Sequence, residues 1–272
     1  METNDKAGMK RYGIRNNRGV ALLIALLVTA LLIALIFEFA YGTRVSLRAA
    51  VNFRDSQRAY FLARAGVNYG AKLLADGKLQ EALSQGEWTT VPIVSGGDTE
   101  LRIRWEDEKG KINVGFVKNS PFLPWLQELF RIKQAKQDVL QGMADDGIKI
   151  NLLTELHQRM SDEEYGRVTP FLTVYGDKKI NLNTASLEVL TSMGFTEVSA
   201  RMVIDLRQSE PFDEGRISPY LPPTLTVNKE NFTSNTFTVR SFATVGNYTK
   251  QIEAVVQAAK VANPTVLYWR AL

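Results

Sequence analysis

The chain has 272 residues, no cysteine, 45% hydrophobic residues, and 33 Lys and Arg against 29 Asp and Glu for a formal charge of +4. Such a chain is neither a disordered tail nor a disulfide scaffold, and it excludes thiol catalysis, thiolate zinc sites and iron–sulfur clusters. Lys6, Lys10, Arg11, Arg15 and Arg18 against Glu2 and Asp5 put three of the four net charges in residues 1–19, so the basic balance is local and gives no global footprint for nucleic acid.

Val20 to Phe37 is a run of 18 residues without a charge, in which Thr29 is the only polar side chain. Its length and composition predict a membrane span, and the cations on its N-terminal side predict that this end stays in the cytoplasm while the rest lies across the bilayer. The alternative is a removable secretory signal with Ala40-Tyr41-Gly42 as the small-x-small cleavage site. The apolar run is longer than the usual core of such signals, of roughly 7 to 15 residues, which favours the span.

No proline occurs before Pro92, and Leu47, Ala50, Val51, Phe53, Tyr60, Phe61, Ala65, Tyr69 and Leu73 recur at helical spacing. Span and stripe predict one helix, about 84 Å long from Val20 to Ala75 at 1.5 Å per residue. Gly42, Gly66 and Gly70 are expected to be its weak points. The stripe at residues 60 to 74 is expected to pack on a downstream sheet.

A short basic leader ending in Gly and followed directly by the apolar run, here Arg18-Gly19-Val20, resembles the class III leader of type IV pilins and type II secretion pseudopilins. The resemblance implies that a prepilin peptidase cuts after Gly19 on the cytoplasmic side, so that the mature chain begins at Val20. The fifth mature residue is then Ile24, where most such proteins carry glutamate. A lone carboxylate inside the bilayer costs about 2.5 kcal/mol or more unless it is paired. The resemblance implies pairing with the terminal ammonium of a neighbouring subunit, which Ile24 cannot make; this suits a subunit that enters first and stays at the tip.

Beyond Gly77 the pattern turns to short β-rich runs. Strands are predicted at Thr89 to Val94, Leu101 to Trp105 and Lys111 to Val117, with turns at Gly96-Gly97-Asp98 and Lys109-Gly110. After Pro121, helical faces recur at Trp125, Leu126, Leu129, Phe130 and Ile132, then at Val139, Leu140 and Met143, and again at Leu152, Leu153, Leu156, His157 and Met160. Ser161 with Glu164 reads as a capping box. Strands return at Phe237 to Val245 and Gln251 to Val256 around a Gly246-Asn247 turn, and a short end strand is expected at Thr265 to Trp269. The pattern predicts an αβ domain interrupted by a helical insertion.

Four blocks carry a more specific resemblance: Ala59 to Gly66, Asp107 to Asn113, Tyr165 to Gly176 running into Lys179 to Ala185, and Val266 to Arg270. In that order they resemble the general secretion protein K family, the large minor pseudopilin of type II secretion. The resemblance implies an α+β pseudopilin fold, with a long N-terminal helix packed on an antiparallel sheet and a large inserted α-helical domain like sterile-alpha-motif or helix–hairpin–helix bundles. The division expected is a leader at 1–19, the membrane half of the helix at 20–40, the periplasmic helix and first strands at 41–118, the insertion at 119–222 and the returning strands at 223–272. The resemblance also implies an inner-membrane protein with its C-terminal domain in the periplasm. Its implied partners are the I-type and J-type minor pseudopilins of a tip complex, the major pseudopilin, the prepilin peptidase and the inner-membrane assembly platform.

No cofactor is expected. Some members of the family bind calcium, but the nearest acidic loop, Asp145-Asp146-Gly147, lacks the alternating oxygen ligands of a calcium loop. A competing reading is a membrane-anchored competence receptor for DNA, because Asn183 to Thr196 resembles a helix–hairpin–helix. That motif grips phosphate through amides of a Gly-x-Gly hairpin, and only Gly194 is present, so nucleic acid is not the expected partner. A minor pilin of a type IV pilus shares leader and rod but not the insertion. Catalysis is not expected either: His157, the one histidine, is read as a packing residue, and no nucleophile stands beside a base.

Overall fold

The computed structural model describes residues 18–76, 86–92, 97–115, 122–258 and 264–272; leader residues 1–17 and the turn position Gly96 lie outside them. The chain divides into two compact units, Met1–Arg54 and Asp55–Leu272. Helix α1 (Arg18–Ala75) supplies all of the described part of the first. There its Leu, Ile and Phe side chains are exposed, and it is the one described helix long and apolar enough to cross a membrane. The Thr29 hydroxyl donates to the Ala25 carbonyl at 2.9 Å and to that of Leu26 at 3.0 Å, which satisfies the only polar side chain of the span within the helix itself.

In the second unit, strands β1 (Thr89–Thr90), β2 (Thr99–Asp107), β5 (Thr236–Val245), β6 (Tyr248–Gln257) and β7 (Thr265–Ala271) form one antiparallel sheet in the order β1-β2-β5-β6-β7. Alternation along β2 turns Leu101, Ile103 and Trp105 to one face, where they join Phe237, Val239, Ile252, Ala254 and Val256 under Ala63, Val67 and Leu74 of α1. Gly246, at φ +55°, opens the two-residue β5–β6 hairpin with the left-handed backbone such a loop needs. Gly66 and Gly70 differ from expectation: a Cβ on Gly66 would stand 2.2 Å from Ser241 Oγ and one on Gly70 2.8 Å from Val239 Cγ1. They are where the helix touches β5, not points of weakness.

The second core is helical. Helices α2 (Leu123–Ile132), α3 (Asp138–Asp146), α4 (Thr154–His157), α5 (Asp162–Val168), α6 (Leu187–Ser192), α7 (Glu197–Ser209) and α8 (Glu214–Ile217) enclose Leu126, Phe130, Leu140, Leu156, Leu190 and Val203. Ser161 and Glu164 form the capping box that opens α5. Among the described residues of the strand predicted from Lys111, only β3 (Ile112–Asn113) is a strand, paired in parallel with β4 (Leu172–Thr173) apart from the main sheet. Ile112 and Val114 belong to the helical core, and Leu225, Val227 and Phe232 pack against it. The helical body therefore takes in residues on both flanks of 119–222, and the sheet resumes at Thr236.

Candidate functional site

The two bodies of the second unit meet in a buried polar junction built from the end of β2 and the 3-10 turn Glu108–Gly110 that follows it. Asp107, Glu108 and Lys109 are all buried. Asp107 Oδ1 accepts from the Lys109 amide at 2.8 Å and from Ser234 Oγ at 2.5 Å; Oδ2 accepts from Asn181 Nδ2 at 2.8 Å and Thr184 Oγ1 at 2.7 Å. One carboxylate thus ties three distant segments. Burial pushes its carboxyl up in pKa, and the bonds from Ser234, Thr184, Asn181 and Lys109 offset this only in part.

Glu108 accepts from Lys111 Nζ at 2.7 Å, Thr238 Oγ1 at 2.6 Å and Thr173 Oγ1 at 2.5 Å. Lys109 Nζ reaches Asp177 at 3.0 Å and the Glu230 carbonyl at 3.1 Å, and its own carbonyl accepts from the Asn181 amide at 2.7 Å. Asn183 acts as a backbone clamp: Nδ2 donates to the Phe212 carbonyl at 3.0 Å while Oδ1 accepts from the Phe212 amide at 2.7 Å. Both Asp107 oxygens hold two donors, so the carboxylate serves as a latch and has no lone pair to spare as a base.

Beside the junction lies an open cleft of about 1520 Å³ between the outer face of the sheet and the helical body. Its sheet wall carries Arg104, Glu106, Arg240 and Glu253; its helical wall carries Leu153, Phe171, Val174 and Tyr175. Glu106 accepts from Arg240 at 2.7 Å and from Arg104 at 2.8 Å, with Lys111 at 3.5 Å. Burial would raise its carboxyl, but Lys111, Arg240 and Arg104 outweigh it and hold the pKa below the usual range. Tyr175 is pushed up to about 12, first by burial and then by Tyr268, Glu108 and Glu253.

The residues singled out from sequence fall elsewhere. Gly19 and Val20 lie in the first turn of α1 and Ile24 just beyond; Val20 is 59% and Ile24 55% exposed, and a Cβ on Gly19 would meet nothing within 4 Å. His157 is not a packing residue: it is exposed, stacked on Tyr165 at 4.5 Å, with Nε2 2.7 Å from Asp162. Asp145 accepts from Gln141 at 2.8 Å at the end of α3, which Gly147 closes at φ +67°. Among the described residues no group of three or more acidic or His side chains is gathered as a metal would need.

The helix–hairpin–helix resemblance is realised in α6, Gly194 at φ +98° and α7. Its hairpin amides are spent internally, however. Met193, Gly194 and Phe195 donate to carbonyls of Val189, Leu190 and Thr191, and Pro222 Cβ stands 3.7 Å from a Cβ built on Gly194. Arg201 pairs with Glu197 at 2.7 Å, and Arg207 donates to the Leu182 and Ala185 carbonyls at 2.9 and 2.7 Å. Neither amides nor these arginines are presented to a phosphate.

No family model matches the chain. It is similar to the type II secretion system protein K of Pseudomonas aeruginosa, 26% identical over 253 residues that cover 73% of this chain and 74% of that one. Over most of its length the chain is similar to a type II secretion protein K. Its fold is also that of a chain in the crystal structure of the GspK-GspI-GspJ complex from the enterotoxigenic Escherichia coli type 2 secretion system, with a TM-score of 0.60, 11% identity, and 82% of this chain and 99% of that one covered. Within this chain, the blocks Asp107 to Asn113 and Lys179 to Ala185 that carry the sequence resemblance meet in the polar junction. The blocks are visible in the sequence but their convergence is not, because Asp107 is 74, 77 and 127 positions from its partners Asn181, Thr184 and Ser234.

Proposed function

We propose that this chain is a minor pseudopilin that initiates and caps the type II secretion pseudopilus, packing its α1 beside the helices of I-type and J-type minor pseudopilins. The observation that carries the reading is its likeness to secretion protein K over most of both chains, on a fold shared with a chain of the K–I–J complex. The single apolar helix fits a single-pass anchor. A prepilin peptidase cuts after Gly19 and leaves Val20 as the first mature residue. The domain beyond the span then lies in the periplasm, as the basic flank Arg15 and Arg18 favours.

Ile24 at the fifth mature position gives the subunit no carboxylate with which to grip a neighbour above it, which suits a subunit that enters first and has the major pseudopilin added below. The role is mechanical: the chain supplies shape and helix surface to an assembly platform. Burial of apolar helix faces, at about 25 cal/mol per Å², holds such a complex together.

Processing of the Gly19→Ala variant tests this. The variant should insert but keep its leader, so that its mass stays that of the precursor when the peptidase is co-expressed. Removal of residues 1–19 from the variant at the wild-type rate would overturn the pilin-type reading.

A further inference from the structure

Strand β7 ends the five-stranded sheet: it pairs with β6 on one side and with no described strand on the other. Soluble sheets usually blunt such an edge by shortness, proline or several charges. This one has seven residues, no proline and a single charge, Arg270. Its apolar side chains remain open, with Val266 50% and Trp269 36% exposed. The Leu272 amide donates inward to the Gln251 carbonyl at 2.8 Å. By the alternation of an antiparallel ladder, the Ala271 amide therefore points to the free edge, where it can pair with another strand.

Charge along the adjoining rung says what that strand would carry. Arg104, Arg240, Glu253 and Arg270 are direct cross-strand neighbours on the outer face, next to the cleft. Arg240 is held between Glu106 at 2.7 Å and Glu253 at 2.5 Å, and Arg104 by Glu106 at 2.8 Å. Arg270 closes the rung as an exposed cation with no ion pair among the described residues. A carboxylate on the next strand would complete the row, since opposite charges across a rung stabilise and like charges do not. A second copy of β7 does not supply it: Thr265–Ala271 contains neither Asp nor Glu.

We propose that the free edge of β7 docks an extended segment of a different polypeptide, apolar at alternate positions and bearing an Asp or Glu opposite Arg270. The added strand continues the floor of the cleft past Tyr268, which sits 6.3 Å from Tyr175 of the helical wall. Main-chain bonds give the affinity and the Arg270 rung gives the selectivity. The site is independent of the pilus-tip role, since it needs neither leader removal nor partner helices.

The test uses the full chain in nanodiscs and two fluorescent capped octapeptides, alternating Thr and Val around a central Glu or a central Lys. Anisotropy should show the Glu peptide bound more tightly than the Lys peptide. Arg270→Glu should invert that preference, with a change of about fivefold for each peptide, as a cross-strand charge pair near the top of its usual range gives. Ala271→Pro removes one of the two amides, with that of Trp269, that the ladder turns outward, leaves the β6 ladder untouched and should weaken binding of both peptides, with the circular dichroism melt unchanged. Equal binding of the two peptides, or no effect of Ala271→Pro, would overturn the proposal. So would a concentration-dependent dimer of the peptide-free chain that Ala271→Pro dissolves, because the occupant would then be a second copy.

Discussion

A Cβ on Gly110 would stand 2.9 Å from the Thr184 carbonyl oxygen and 3.0 Å from its hydroxyl, the hydroxyl that Asp107 Oδ2 holds at 2.7 Å. The obstacle is backbone, which cannot rotate away, so the methyl of Gly110→Ala must pry the helical body from the sheet at its latch. Overpacking of this kind typically costs about 1–3 kcal/mol. Gly142 is the control: it lies in the interior of α3 with nothing within 4 Å of an added Cβ, so Gly142→Ala should stabilise by roughly 0.5–1 kcal/mol through helix propensity and unfolded-state entropy. Thermal unfolding of the two variants in nanodiscs should show shifts of opposite sign. A loss for both, or no loss for Gly110→Ala, would mean that the junction is looser than its geometry states. Nothing in the local sequence marks Gly110 in this way, since Lys109-Gly110 has turn composition and the atom it must clear lies in the Asn-rich block far along the chain.

Among the elements, long periodic ones were legible in the sequence and short ones depended on partners it does not reveal. The β5–β6 hairpin follows from alternation and Gly246-Asn247, and the capping box at Ser161 was plain. Of the strand expected from Lys111 to Val117, residues 116 and 117 lie outside the described ones, and in the rest only Ile112–Asn113 is a strand, because its parallel partner, Leu172–Thr173, lies some sixty positions downstream. The helix expected around Leu152 to Met160 contracts to Thr154–His157, which leaves His157 on the surface rather than in a core. Gly66 and Gly70 differ from expectation for a related reason: helix propensity assigns Gly a cost of about 1 kcal/mol, whereas at these two positions the absence of Cβ is what admits the sheet. Gly70→Ala should therefore destabilise despite its better propensity, because its methyl meets Val239 Cγ1 at 2.8 Å. Val239→Ala also destabilises by leaving a cavity, yet the double variant should be more stable than the sum of the two, since each change relieves the other. Strict additivity in the double-mutant cycle would show that α1 and β5 do not meet at this point.

At the scale of the whole molecule, the sheet, the junction and the helical body share a chain of charges whose members respond to acid in opposite directions. Burial raises the Asp107 carboxyl despite four hydrogen bonds, so its ionised form is disfavoured by folding. Its cost to stability is present at neutral pH and disappears as pH falls through the raised value toward the unfolded one near ~3.9. Glu106 behaves the other way: Lys111, Arg240 and Arg104 overcome its burial and depress its pKa. Its contribution is present above the unfolded value of ~4.3 and is lost as pH falls through the depressed one. Acidification should therefore first raise the melting temperature and then lower it. Asp107→Asn should remove the rise and leave the fall; Glu106→Gln should lower the melting temperature near neutrality, where three cations lose their common partner, and flatten the fall below about pH 4. Melts of the three chains across pH in zwitterionic nanodiscs decide the assignment: a rise that survives in Asp107→Asn, or an acid loss of full size in Glu106→Gln, would place the acid sensitivity of the fold outside the joint between its two bodies.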